Sequence, residues 1–319
     1  MRKIVVMALC FFLVGSVMFA AGTEEIKEFP NKTISVIVPF GAGGGTDALA
    51  RKLADVVQKQ TGYSIIIENK TGGSGAVGMS EGAIAKPDGY TVTMTTVEVV
   101  LLPAAKLANF QATDFKGIIR VNFDAASIIV KKDNPANTLE ELVANSKTAK
   151  KATSVNVSAF PTNYWLCGAL LKEQSGGNFN LVEEPNGAAQ EIANLLGGHV
   201  DVIICTLAEA AQYVENGDFK FIATASSERN SKYPNVPTFI ENGYDIEVGT
   251  WRGFMVPKAT EASVVAKLEK IFTDAYDSQE FKDFLNKMGF GDGFLNSSNF
   301  DKLIKAQVTK YGPVISKFL

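Results

Sequence analysis

The chain has 319 residues, 46% of them hydrophobic, which is enough to bury one full core and to build a second. Its formal net charge of −3 and the lack of any basic stripe exclude a nucleic-acid binder. One histidine and three cysteines at unrelated spacings exclude most zinc sites and any disulfide scaffold.

The N-terminus reads as a secretory signal peptide over residues 1–21. Met1-Arg2-Lys3 is a short basic start, residues 4–19 are almost wholly apolar, and Ala20-Ala21-Gly22 supplies small residues. Cys10 is apolar filler within that run. Cleavage would remove Arg2 and Lys3 and leave a periplasmic chain of net charge about −5. The remaining cysteines, Cys167 in an expected helix and Cys205 at an expected strand end, read as two buried free thiols.

After a loose extension at residues 22–32, Ile34, Val36 and Val38 alternate as a strand, closed by Pro39-Phe40. Gly41, Gly43, Gly44 and Gly45 follow, and Thr46 or Asp47 is placed to cap a helix with the apolar stripe Leu49, Leu53, Val56 and Val57. A strand feeding through bare glycine amides into a helix N-terminus is an anion cradle. In it Asp47 serves to shape the loop, since a carboxylate touching an anion would repel it. The pattern repeats: residues 63–67 form a strand, Gly72-Gly73-Ser74-Gly75-Ala76 a second glycine cluster, and a helix runs to about residue 85. Pro87-Asp88-Gly89 is a turn before a third strand at residues 90–95. Strands alternating with helices predict an α/β fold, with both glycine clusters at the carboxyl ends of parallel strands.

Residues 127–130 start a second series of units. Thr138-Leu139-Glu140-Glu141 opens a helix to about residue 149; strands follow at residues 153–158, 200–205 and 219–224, and helices at 164–174, 188–196 and 207–215. A last strand at residues 251–256 precedes a tail expected to be entirely helical, whose apolar stripes need the first sheet to cover them. The chain would then cross twice between two lobes: residues 22–124 with 250–319, and residues 125–249.

Two enzymatic readings compete. Gly41 and Gly43 begin a dinucleotide fingerprint with Glu68 as the ribose acid, but Thr46 replaces its third glycine. Ser74 could sit on a nucleophile elbow of a periplasmic serine hydrolase, yet it lies beyond the strand end, and the only histidine, His199, is in a turn. A third reading, a ligand-sensing partner of a signalling protein, would use the same fold.

Taken together, these landmarks resemble the extracytoplasmic solute-binding receptors of tripartite tricarboxylate transporters, the TctC/Bug group. Residues 39–47 (PFGAGGGTD) resemble the family's P-F/Y-x-P-G-G-x-x-D loop, with Ala42 for its second proline. Residues 68–78, Pro87-Asp88-Gly89-Tyr90-Thr91, Leu196-Gly197-Gly198-His199-Val200-Asp201, the segment 233–238 and Trp251-Arg252-Gly253-Phe254 are further matches. The resemblance implies a type II periplasmic-binding-protein fold of two mainly parallel sheets. It also implies a non-enzymatic monomer without cofactor or metal that closes on a small organic carboxylate and delivers it to integral membrane transporter subunits. The ligand-binding residues it implies are Phe40, Gly43, Gly44, Gly45, Thr46, Asp47, Gly72, Gly73, Ser74, Gly75, Ala76, Thr95 and Thr96 on the first lobe. On the second they are Pro161, Thr162, Asn163, Asn186, Gly187 and Thr206. Trp165, Asn186, Thr206 and Val97-Glu98 depart from the family pattern; losing a basic residue at Asn186 points to a monocarboxylate, an aromatic acid or an amino acid rather than citrate.

Overall fold

The computed structural model describes residues 29–319, and the expected signal peptide lies outside the described residues. Strand β1 (Ile34–Val38) runs parallel to β2 (Ile65–Asn69) on one side and β3 (Thr91–Thr96) on the other, with helices α1 (Gly45–Thr61) and α2 (Ala76–Ala83) between them. A short helix, α3 (Glu98–Ala104), follows β3. Its run Val99-Val100-Leu101-Leu102-Pro103 is apolar all round, so no periodicity announced it.

Strand β4 (Phe115–Lys131) is 17 residues long, starting well before the expected residue 127. It organises the rest of the sheet. Residues 115–125 pair antiparallel with β9 (Gly249–Pro257), and at Ala126 the partners change to β7 (Val202–Thr206) and β8 (Phe219–Thr224). Beyond β7 lie β5 (Thr153–Ser158) and β6 (Phe179–Glu184), all three parallel. The strand order is β2-β1-β3-β9-β4-β7-β5-β6, so the sheet is mixed rather than mainly parallel. Helices α4 (Leu139–Thr148), α5 (Asn163–Ser175), α6 (Ala188–Leu196) and α7 (Leu207–Glu215) connect the later strands.

The tail contains α8 (Ala262–Tyr276), α9 (Gln279–Met288) and α10 (Ser297–Ser316), with the two-residue strand β10 (Leu295–Asn296) pairing with β4. That strand corrects the expectation of an all-helical tail. Helices α8 and α9 pack on α1, while α10 covers β4 and α3. Trp251 of β9 is fully buried, its ring edge-to-face with Phe300 of α10 at 5.2 Å and its Nε1 donating to Gln307 at 3.2 Å. Burial of such a side chain is worth roughly 2–3 kcal/mol, which seats α10 on the crossing strands. No helix among the described residues is long and apolar enough to cross a membrane.

Candidate functional site

The first glycine loop leaves a helix end open. Gly44, not Thr46 or Asp47, is the N-cap of α1, and no side chain caps it. Gly43 supplies the left-handed φ of +82° that turns the chain into the helix. Asp47 works from inside the first turn. Its buried carboxylate accepts from the Gly43 amide, Arg51 Nε and Asn69 Nδ2, each at 2.9 Å. Burial alone would raise its pKa, but these donors outweigh it and lower the group to about 2. Asn69 also donates to the Phe40 carbonyl at 2.9 Å, tying the end of β2 to the loop after β1. The first-turn amides of α1 are left to whatever anion enters.

The second loop is built on four consecutive positive φ angles: Gly72 (+132°), Gly73 (+57°), Ser74 (+54°) and Gly75 (+96°). Ser74 carries the strain of that conformation, a cost of about 1–2 kcal/mol, while its exposed side chain stands at the tip. Gly75 caps α2 without a side-chain bond, and the turn closes on itself: the Gly75 and Val77 amides donate to the Gly72 carbonyl and the Ala76 amide to the Gly73 carbonyl. Helix α2 packs closely on the ends of β1 and β2 because Gly78 has no side chain: a Cβ there would lie 2.8 Å from the Lys70 carbonyl and 2.9 Å from Pro39 Cα.

At the end of β3, Thr95 is buried and donates to the Gly253 carbonyl at 3.2 Å, and the Thr96 hydroxyl donates to Glu98. Burial pushes Glu98 above the usual carboxylate range, against the opposing pull of Thr96 and Arg252. Arg252, opposite Thr96 on β9, donates from Nε to Thr46 Oγ1 at 3.1 Å and from Nη1 to Asp124 Oδ2 at 3.3 Å. Asp124 also accepts from Asn122 Nδ2 at 2.8 Å and from the Gly291 amide at 2.6 Å. Burial raises the Asp124 pKa even so.

The carboxyl ends of β5, β6 and β7 form a second edge. Thr162 caps α5, its hydroxyl accepting from the Trp165 amide at 3.4 Å, next to Pro161. Asn163 Nδ2 donates to Thr250 Oγ1 at 2.9 Å. Thr206 and Glu209 form a reciprocal capping box on α7, and Tyr164 donates to Glu209 at 3.0 Å. Asn186 folds back onto Glu184 at 2.7 Å, and Gly187 (φ +80°) opens α6 with no side-chain cap. Thr250 and Arg252 lie two residues apart on β9 and so share a face. One strand therefore fastens both edges, the first through Thr46 and the second through Asn163. Thr206 and Asp124 also line a cavity of about 850 Å³ together with Phe123, Arg229 and Phe290.

Sequence reasoning missed Arg252, Asp124 and Glu191 as parts of this region. The one legible signal was a charged Arg252 within an otherwise apolar strand. Conversely, the enzyme readings lose their partners. His199 precedes β7, at the opposite end of its strand from the glycine loops, and Glu68 accepts from Ser35 at 2.5 Å and pairs with Lys70. Cys167 and Cys205 are buried and free, and burial pushes the Cys167 thiol up to about 12.

The family model for the tripartite tricarboxylate transporter family receptor, TctC, matches residues 49–318. A UPF0065 protein from the gbd 5′ region of Cupriavidus necator is 29% identical over 294 residues, covering 92% of this chain and 89% of that protein. The crystal structure of a TctC solute binding protein from Polaromonas superposes with a TM-score of 0.85 at 32% identity, covering 91% of this chain and 99% of that one. The structure of R. palustris Rpa4515 with adipate shares the fold with a TM-score of 0.72 at 24% identity, over 91% and 98% of the two chains.

Proposed function

Because the chain belongs to the TctC family of solute-binding receptors, we propose that it captures a small organic carboxylate between its two strand edges. It would then deliver that solute to integral membrane transporter subunits. Receptors of this family are periplasmic and are not enzymes. The observation that carries the reading is the N-terminus of α1, left without a side-chain cap, next to the positive-φ loop 72–75 at the end of the adjacent parallel strand. The first-turn amides and the dipole of α1 favour one carboxylate-sized group there, with the Ser74 side chain at the tip of the neighbouring loop. The same fold holds adipate in the R. palustris protein.

On this reading residues 32–124 with 250–319 form one lobe and residues 125–249 the other. They hinge where β4 and β9 cross, near Ala125 and Gly249. Binding biases the pair toward the closed form. Phe40, residues 43–47 and 72–76, and Thr96 belong to the carboxylate end. Pro161, Asn163, Asn186, Gly187 and Thr206 frame the distal end. The hydroxyl oxygens of Thr162 and Thr206 serve as helix caps first, and Thr95 supports Thr96 from behind.

The test is a thermal-shift screen against organic acids followed by calorimetry on the best ligand, since a specific ligand stabilises the folded state by mass action. Ser74→Ala should weaken binding severalfold. If no carboxylate raises the melting temperature, or if Gly73→Val and Ser74→Pro leave the best ligand's affinity unchanged, the reading fails.

A further inference from the structure

The carboxyl groups around the crossing strands do not suit a solute that is only an anion. Asp124 on β4 lies within the field of Arg252 and of Glu209, and Glu98 within that of Arg252. Glu209 in turn acts on Glu191, as does Glu184. These six side chains form one connected electrostatic set spanning both strand edges, with five acids and a single cation. Arg252 is already engaged with Asp124 and Thr46. Two arginines in the cavity lining beside Asp124 are committed as well: Arg120 donates to the Gly293 carbonyl at 2.6 Å, and Arg229 pairs with Glu241 at 2.9 Å; Lys232 and Lys287 also line that cavity.

Glu191 is the independent sign of a missing partner. It is wholly buried in the first turn of α6, and its Oε1 accepts from Ser158 at 3.0 Å at the carboxyl end of β5. Its Oε2 has no hydrogen-bond partner. A buried carboxyl oxygen without a donor, beside two further glutamates, lowers in free energy when a cation arrives.

We propose that the solute carries an ammonium group as well as a carboxylate. Its carboxylate sits on the open amides of α1 beside the second glycine loop, and its ammonium faces the acids of the crossing strands and the second edge. This rests on the receptor reading above and narrows its ligand to amino acids and amino-carboxylates. An adipate-like dianion would bring its second carboxylate against Glu209 and Asp124, and like charges there oppose binding. Burial and mutual repulsion hold Glu191 at about 8, with Ser158 of β5, Glu184 of β6 and Glu209 of α7 facing it. An ammonium must lower that value, so binding near pH 8 releases protons; a second carboxylate must raise it and takes protons up.

The experiment compares matched pairs by calorimetry on the purified protein: L-glutamate with glutarate, 5-aminovalerate with adipate, and L-alanine with propionate. It is run at pH 8 in phosphate and in Tris, whose ionisation heats differ. At least one amino member binds about tenfold or more tighter than its partner, and its heat reports proton release. Glu98→Gln and Glu191→Gln, either sufficing if the other does not fold, reduce that preference about tenfold. Tightest binding by a nitrogen-free acid, proton uptake, or no binding by any amino member overturns the proposal. The first two leave the carboxylate receptor intact; failure of every acid of both kinds removes that too.

Discussion

Replacing Asp47 with asparagine tests the cradle through the one ionised group that shapes it. The carboxylate, almost wholly buried, holds the Gly43 amide, Arg51 and Asn69 together, so it fixes the first loop and joins it to the end of β2. A group held at about 2 against an ordinary 3.8 contributes ~2 kcal/mol at neutral pH. Because the folded value is depressed, that contribution is complete above about pH 4 and is lost as pH falls through about 2. Asp47→Asn keeps one acceptor oxygen but points an amide toward donors, so the loss at pH 7 is about 2 kcal/mol. For a chain this long that lowers the melting temperature by roughly 3 °C. The loop amides also lose their alignment, and carboxylate affinity falls about tenfold. Differential scanning calorimetry from pH 7 to pH 3 gives the readout: the gap between wild type and variant narrows as the carboxylate is titrated. A variant that melts within about 1 °C of wild type at pH 7, or a gap that is constant with pH, refutes the argument.

Further expectations follow from single contacts. Gly72→Ala places a methyl 2.8 Å from Val77 Cγ2 at a φ of +132°, so chemical denaturation should show a loss of about 2 kcal/mol together with weaker ligand binding. Arg252→Gln removes the cation from a half-buried Asp124 and should cost about 3 kcal/mol by denaturant midpoint, with partial recovery on adding Asp124→Asn. Glu191 keeps its proton in the native state to about pH 8, whereas the unfolded chain loses it near 4.5, so its contribution weakens as pH rises between those values. Glu191→Gln should therefore raise the melting temperature at pH 8 far more than at pH 4.5. Cys167 and Cys205 should resist a thiol reagent in the native protein and react together once it unfolds.

The crossing strands connect these expectations. Thr46, Arg252, Asp124 and Gly291 form one hydrogen-bonded path from the open end of α1 to the loop after α9, passing the position where β4 changes partners. Any shift of the cradle on binding reaches the crossing point through the hydrogen-bonded Arg252 and Asp124 side chains. The Phe290 ring lies 5.2 Å from the Arg252 guanidinium and packs against that path.

What the chain carried locally was readable without its fold. Glycine placement declared the positive-φ loops, Thr138 declared the start of α4, a short apolar run declared β1 and alternation declared β5, because each depends on the backbone preferences of a few adjacent residues. Polar Asn180, Glu183 and Glu184 hid β6, since a strand at the sheet's edge has one side open to water and needs no apolar run. Only the tertiary structure made β4 seventeen residues long, paired two residues of the tail as β10, and set Thr250 and Arg252 to fasten opposite edges. The same holds for Glu191, which an isolated helix would expose. Partners distant in the chain decide burial and pairing, and the cost of an unpaired carboxyl exists only after those partners have closed around it.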